Sequence, residues 1–372
     1  MDKIKIAVLD GDGIGPEVVE QAKKVMDAVG NRFGHHFEYC HALVGAIAID
    51  HTGDPLPQET LDTCVNADAV LFGAIGHPKY DNDPSAKVRP EQGLLRMRKE
   101  LGLYANLRPV TIYPSLRDLA PLRPDRLEGV DMLIVRELIG GIYFGERGRS
   151  EDRKSAYDTC SYSWDEVERI SRLAFEQAGL RRKKLTLVDK ANVLESSRLW
   201  REVVQAISPE YPDIAVDYLF VDNAAMQLIL NPAQFDVVVT SNMFGDILSD
   251  AASVLAGSLG LLPSASIGAR TSVFEPIHGS YPQAAGQDRA NPLATILSAA
   301  MLLDNLDLNE EAQCVRDGVS SVLEKGLGTE DIKPQITIGC AEMGDIVAHI
   351  VEDPDAPNLR AEKISDRLST II

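Results

Sequence analysis

The chain is short of positive charge, paired cysteines and long apolar runs, and each shortage removes a class of protein. Its 37 Lys and Arg stand against 56 Asp and Glu, a net charge of −19. Such a chain repels the phosphates of nucleic acid. A small anionic substrate remains open, because a few local arginines decide that and not the global sum. The remaining acidity reads as a solvated surface. The five cysteines (Cys40, Cys64, Cys160, Cys314, Cys340) are odd in number and widely spaced, with no C-x-x-C pair. That excludes a disulfide framework or cysteine zinc site and suits free thiols in a reducing cytosol. No apolar stretch approaches the roughly 18–20 residues needed to span a bilayer. The opening MDKIKIAVLD enters a strand-like run without an apolar signal core, so a cytoplasmic location is expected. Internal repeats and low-complexity blocks are also missing.

What is present looks globular. In 372 residues, 45% are hydrophobic and 25% charged, enough for one large domain or two medium ones. Strand-like and helical runs alternate. Lys3–Asp10 reads as a strand, and Pro16 to Val29 as a helix with proline in its first turn and Gly30 as its stop. Ala67–Ile75, Asp131–Arg136, Leu185–Asp189 and Phe235–Thr240 read as further strands. Leu94–Leu101, Asp246–Leu255, and the amphipathic runs Leu293–Leu303 and Glu310–Lys325 read as helices. Ser163 to Gly179 opens on a capping box, S-W-D-E, and closes on glycine. The alternation predicts an α/β protein with at least one largely parallel sheet. Tyr143–Ser163 breaks the pattern; its polar, then alternating sequence suits either an extended arm or a surface loop.

Several segments could carry chemistry. Gly11-Asp12-Gly13-Ile14-Gly15-Pro16-Glu17 sits between strand and helix, but its spacing is wrong for G-x-G-x-x-G. A tight turn that needs glycine is the plainer reading. Asn242-Met-Phe-Gly-Asp246-Ile-Leu-Ser-Asp250 is stronger. Two carboxylates four apart share one helix face and repel unless a cation lies between them, and oxygen-only ligands favour Mg²⁺ or Mn²⁺. Asp222, after a strand, is either a third ligand or a turn residue. Arg98, Arg108 and Arg136 each lie in or beside an apolar run, where a guanidinium needs an anion and its fork matches a carboxylate. One alone would read as a structural salt bridge; three suggest an anion site. Lys190 ends a strand and is either an exposed lysine or a base. Tyr143 is either a core tyrosine or an acid.

Together these segments resemble the isocitrate/isopropylmalate dehydrogenase family of β-decarboxylating dehydrogenases. The likeness runs from GDGIGPE to RANPLATILSAAMLL (Arg289–Leu303), and NMFGDILSDAASVLAGSLGLLPSAS is its most specific stretch. It implies two α/β domains of a non-Rossmann kind. One is a cofactor-side domain of residues 1–103 and 257–372, discontinuous in sequence. The other, residues 104–256, binds substrate and metal and dimerises, with an arm near residues 143–163. It also implies NAD-dependent oxidative decarboxylation of a 2-hydroxy-dicarboxylate. Arg98, Arg108 and Arg136 would hold the substrate carboxylates, with Glu91 and Asp222 also at the substrate. Asp222, Asp246 and Asp250 would bind Mg²⁺ or Mn²⁺. Lys190 would assist loss of the hydroxyl proton and Tyr143 would help protonate the product. Lys190 and Asp222 would come from the second subunit of a homodimer.

Cofactor contacts implied by the resemblance are Ile14, the loop His77–Glu91, Asn192, and Glu275, His278 and Gly279 with Gln283, Ala290 and Asn291. Gln283 departs from the pattern: many relatives have there an aspartate that meets the adenosine ribose and repels a 2′-phosphate. The Lys-Tyr pair of the NADP-using isocitrate enzymes is also missing at Gln283-Ala284, so NAD is expected. Leu94 and Leu95 replace the polar residues that meet isocitrate's third carboxylate, and leucines suit an isopropyl group. The expected substrate is therefore 3-isopropylmalate, an intermediate of leucine biosynthesis. A methyl-scale contact discriminates by only about 1 kcal/mol, so D-malate or tartrate oxidation by the same machinery is the nearest alternative. A non-catalytic paralogue is the alternative of another class; it would lack site residues that this chain retains.

Overall fold

A computed structural model of the protein describes residues 3–81 and 87–353. Ten strands form one mixed sheet. They are β1 (Ile4–Gly11), β2 (Phe37–His41), β3 (Ala69–Ala74), β4 (Leu103–Thr111) and β5 (Asp131–Glu137), then β8 (Lys184–Asp189), β9 (Ala215–Phe220), β10 (Val237–Thr240), β11 (Pro263–Gly268) and β12 (Val273–Pro276). Between β5 and β8, the short β6 (Arg147–Arg149) and β7 (Ala156–Asp158) make a separate antiparallel hairpin. This hairpin is the arm reading of residues 143–163, and Tyr157 on it is exposed.

The sheet order is β2-β1-β3-β12-β11-β4-β5-β10-β8-β9. β1, β2, β3 and β12 run parallel, as do β5, β10, β8 and β9. Antiparallel pairing of β12 with β11, β11 with β4, and β4 with β5 joins the two blocks. Three reversals leave the blocks pointing in opposite directions. β3, entirely buried as AVLFGA, shows the apolar run of a strand covered on both faces.

Helix assignments hold with four corrections, one being that the helix expected over Leu94–Leu101 starts four residues earlier and runs Pro90–Glu100. The first helix runs Gly15–Phe33, past Gly30, and ends at Gly34 in the left-handed region; Gly30 is packed and buried, so its lack of a side chain serves contact and not termination. The NMFGD helix begins earlier than expected, at Asn242. Leu293–Asn305 is not amphipathic: ten of its positions are buried. It lies between the sheet strands β11 and β12 and the helices Gly15–Phe33 and Asn309–Glu324, so water reaches it only at Met301, Asp304 and Asn305 near its end. Each leucine buried there contributes about 1.5–3 kcal/mol. Ser163 caps Trp164–Gly179 through the expected reciprocal bonds with Glu166. Among the described residues no helix is long and apolar enough to cross a membrane.

Most candidate segments leave the carboxyl end of a strand, where open α/β sheets bind ligands. β1 leads into the Gly11–Gly15 turn, in which Gly11 and Gly13 both have positive φ. The buried Asp12 carboxylate ties that turn down by accepting from the backbone N–H groups of Ala46, Ile47 and Gly76. β12 leads to His278, β5 ends at Arg136 and Glu137, and β10 delivers the Asn242–Ser253 helix. β8 and β9 deliver Lys190 and Asp222.

Candidate active site

Two groups of side chains emerge, one inside the cleft and one at an exposed edge. In the first, each arginine is gripped by its own partners. Arg136, with its side chain 5% exposed, donates Nε and Nη2 to Asn242 Oδ1 (3.1 and 2.9 Å) and pairs with Asp246. Arg108 donates to Asn106 Oδ1 (2.7 Å), Ser249 Oγ (2.8 Å) and Asp250 Oδ1 (3.1 Å). Arg98 lies 3.7 Å from Glu275, both side chains mostly buried, and its Nε is buried without a hydrogen-bond partner among the described residues. Burial depresses Arg136 to about 10, Asp246 opposing and Arg108 and Arg98 adding to the depression. The three guanidiniums thus feel one another, yet Arg136 stays cationic at neutral pH.

Tyr143 completes this cluster. Its hydroxyl donates to Asp246 Oδ2 (2.9 Å), and its ring lies 5.9 Å from the Arg136 guanidinium carbon. Burial and the Asp246 carboxylate both push its phenol up, so it remains protonated near neutral pH and can give a proton. The glycine of NMFGD has a steric reason: a Cβ on Gly245 would sit 2.6 Å from Arg136 Cγ.

Leu94, Arg98, Arg108, Ser264 and Glu275 line a cavity of about 160 Å³ with His278 and Gly279. A second cavity, about 280 Å³, shares His278 and Gly279 and adds Ile14, Tyr281, Arg289, Ala290, Asn291 and Asp331. Its polar groups are partly committed: Asn291 donates to Asp331 Oδ2 (3.0 Å) and accepts from the Leu293 N–H (3.0 Å). His278 donates through Nδ1 to Gly279 O (3.0 Å), while its buried Nε2 has no partner among the described residues. Burial holds this imidazole below its usual value and so neutral. Burial likewise pushes the Glu275 carboxyl up, against the pull of Arg98.

The second group is Lys190 and Asp222, whose Nζ and Oδ1 lie 2.7 Å apart. Asp222 is 65% exposed, and the hydrogen bond from Lys190 holds its carboxyl below the usual range. Among the described residues no three acidic, histidine or cysteine side chains gather as a metal site within one chain. Asp246 and Asp250 are with the arginines, and Asp222 is with Lys190.

Other expected residues are scattered around these centres. Leu95 is 45% exposed and does not line the 160 Å³ cavity, unlike Leu94. Glu91 is exposed and faces Gly76; His77 Nδ1 accepts from the Lys79 N–H (3.1 Å). Of the loop His77–Glu91, residues 82–86 lie outside the described residues. Asn192 sits exposed in the turn after Lys190, and Gln283 is exposed beside the second cavity's Tyr281 and not among its lining residues. Sequence reasoning missed Asn106, Asn242 and Ser249, the neutral groups that aim the arginines, and Asp331. Asn242 opens the very motif that was singled out, and its position at the carboxyl end of β10 was the available signal.

Comparison with known proteins then adds independent findings. A family model described as isocitrate/isopropylmalate dehydrogenase matches residues 5–347. A 3-isopropylmalate dehydrogenase of Bacteroides fragilis is 57% identical over 88% of this chain and 93% of its own. One of Carboxydothermus hydrogenoformans is 56% identical, covering 92% and 94%, and one of Aquifex aeolicus is 52% identical, covering 95% and 98%. Among solved structures, an isocitrate dehydrogenase of Methylococcus capsulatus superposes with a TM-score of 0.84 at 34% identity, covering 94% of this chain and all of that one. A β-decarboxylating dehydrogenase of Thermococcus kodakarensis, in its apo form, gives 0.79 at 36% identity, covering 94% and 96%.

Proposed function

The chain belongs to the isocitrate/isopropylmalate dehydrogenase family, and from that premise we propose that it oxidises and decarboxylates 3-isopropylmalate with NAD, yielding 4-methyl-2-oxopentanoate and CO₂ in leucine biosynthesis. The observation that carries this reading is the convergence of Arg98, Arg108, Arg136, Tyr143, Asp246 and Asp250 on one cluster, its arginines mostly buried and its Asp250 carboxylate open to solvent.

Charge counting supports a divalent metal. Three guanidiniums face three carboxylates (Asp246, Asp250 and Glu275), and the Lys190–Asp222 pair adds one of each sign. The pocket is therefore balanced, and a dianionic substrate would leave it two charges in excess unless a divalent cation entered with it. The donor set is all oxygen, which suits Mg²⁺ or Mn²⁺. Asp246 and Asp250 would hold the metal with Asp222 of a second subunit. The 280 Å³ cavity fits the adenosine part of NAD, because His278 Nε2 is left there without a partner.

Bound NAD supplies the hydride acceptor, and bound metal supplies positive charge to the substrate's hydroxyl and carboxylate oxygens. The chain's own groups do the rest. Arg98, Arg108 and Arg136 orient the two carboxylates through fork-shaped bonds. Lys190 of the second subunit takes the hydroxyl proton as the hydride leaves C2. The bond from C3 to its carboxylate then breaks, and the electron pair left on C3 takes a proton from Tyr143. Leu94 presents an apolar wall where an isopropyl group would lie.

Exposed apolar residues support a dimer with shared sites. Met226 and Ile229, on the helix that carries Asp222, and Ile247, on the helix that carries Asp246 and Asp250, are all more than half exposed. An interface that buried these residues against a second copy would involve the helices that carry Asp222, Asp246 and Asp250. The strand order supports the division into residues 1–103 with 257–372 and residues 104–256, since β4, β5, β8, β9 and β10 occupy one side of the sheet.

The test is NADH formation with Mg²⁺ on 3-isopropylmalate, D-malate and isocitrate, each with NAD and with NADP. Preference for isopropylmalate with NAD upholds the reading. Preference for malate keeps the mechanism and overturns the substrate.

A further inference from the structure

Lys190 and Asp222 stand 2.7 Å apart, yet each is the first or second residue beyond the end of a different strand. Something must fix those two strand ends against each other. β8 and β9 pair in parallel, and their last registered pair is Asp189 with Phe220, immediately before Lys190 and Val221. One guanidinium holds both members of that pair. Arg201 donates Nε to Asp189 Oδ2 (2.9 Å) and Nη2 to Asp189 Oδ1 (2.8 Å), a two-bond fork. The same guanidinium carbon lies 5.3 Å from the rings of both Tyr218 and Phe220. Lys190 Nζ lies 5.8 Å from the Phe220 ring as well. Phe220 is thus contacted by both cations.

The helix Glu195–Ile207 supplies a second grip. Ser197, one turn before Arg201 on the same face, accepts the Lys190 N–H at Oγ (3.0 Å). Asp189 in turn accepts the Ala191 N–H (2.9 Å), so the peptide on each side of Lys190 is held. Asp189 is 2% exposed. Arg201 is half-buried, so one buried carboxylate is held by one partly solvated guanidinium, and removing either leaves the other without its partner. Lysine could not replace the arginine, having neither the fork nor the flat face.

We infer that Arg201 is a positioning residue: it clamps the β8 and β9 ends through Asp189 and Phe220 and thereby sets the placement of Lys190 and Asp222 in the active site. Its own charge is engaged by Asp189, so it acts through its neighbours. The inference rests on the proposed role of Lys190.

The test uses the purified full-length dimer with Mg²⁺, NAD and 3-isopropylmalate, comparing wild type, R201Q, R201K, R201A, D189N and K190M. A misplacement of about 1 Å lowers turnover about 100-fold. R201Q and D189N are expected to lose kcat on that scale, with KM for isopropylmalate within about 2-fold at saturating Mg²⁺, because the arginines that bind it are untouched and excess metal offsets a displaced Asp222. The primary isotope effect on kcat with substrate deuterated at C2 should rise, as the step that Lys190 assists becomes limiting. R201K should recover little, and added methylguanidine should restore part of the R201A activity. Wild-type kcat in R201Q and D189N, with K190M inactive, overturns this inference alone. So does a loss of kcat that tracks a lowered Tm with an unchanged isotope effect. Normal turnover by K190M overturns the reading of Lys190 itself.

Discussion

The arginine cluster and the Lys190–Asp222 pair differ in how finished they are. Every arginine of the cluster is mostly buried beside a neutral or acidic neighbour of the same chain: Glu275 for Arg98, Asn106 and Ser249 for Arg108, Asn242 and Asp246 for Arg136. Lys190 and Asp222 have one another, and Asp222 faces solvent. Buried charges need their partners before substrate arrives, because an unpaired one costs several kcal/mol. Exposed charges can wait, since water stabilises them until a second surface covers them. Under the shared-site proposal, one chain holds a prepared anion site together with a contribution to another copy's site.

The sharpest way to break this comparison is to disable each half separately. Lys190→Met and Arg108→Gln should each lower kcat/KM by about 10²–10⁴-fold. Mixing the two inactive proteins and allowing subunits to exchange should restore about a quarter of wild-type activity, because half the dimers are mixed and each has one intact site. No recovery after verified exchange would place both groups in the same chain's site. Next in size, Ile247→Asp should weaken the dimer, so that activity becomes concentration-dependent while circular dichroism stays native; sedimentation checks the association state. Gly245→Ala should destabilise the protein by about 1–3 kcal/mol through overpacking against Arg136 and raise KM for isopropylmalate, read by thermal unfolding and initial rates. The smallest effect belongs to the cofactor side. Gln283→Asp should increase the preference for NAD over NADP by roughly 1 kcal/mol, about 5-fold, through repulsion of the 2′-phosphate. The ratio of kcat/KM values for the two cofactors decides it.

Much of the fold could be read along the chain, for local reasons. Buried strands such as VLFG in β3 and VVVT in β10 are continuous apolar runs bounded by turn residues, and the capping box at Ser163 marks its helix unaided. Gly30 misled because a glycine near a helix end signals a stop whether its job is conformation or packing. Leu293–Asn305 misled because alanines and serines between leucines mimic an amphipathic stripe, whereas the structure buries every position from Leu293 to Ala300. In the site, charged residues stood out against apolar sequence. Asn106, Asn242 and Ser249 did not, since neutral polar residues are common in every context.

The sequence alone determined the chemical inventory: three arginines in apolar surroundings, two aspartates one helical turn apart, a lysine at a strand end, and no polar residue at Leu94. Local chemistry and spacing suffice for that, because each feature lies within a few residues. Only the tertiary structure decided which of them meet. Two parallel blocks running in opposite directions bring Arg98, after β3, together with Arg136, at the end of β5, and Asp246, after β10. The same sheet sets Lys190 beside Asp222, at the ends of the neighbouring strands β8 and β9, and that adjacency comes from backbone pairing between segments about 30 residues apart, which no local signal encodes.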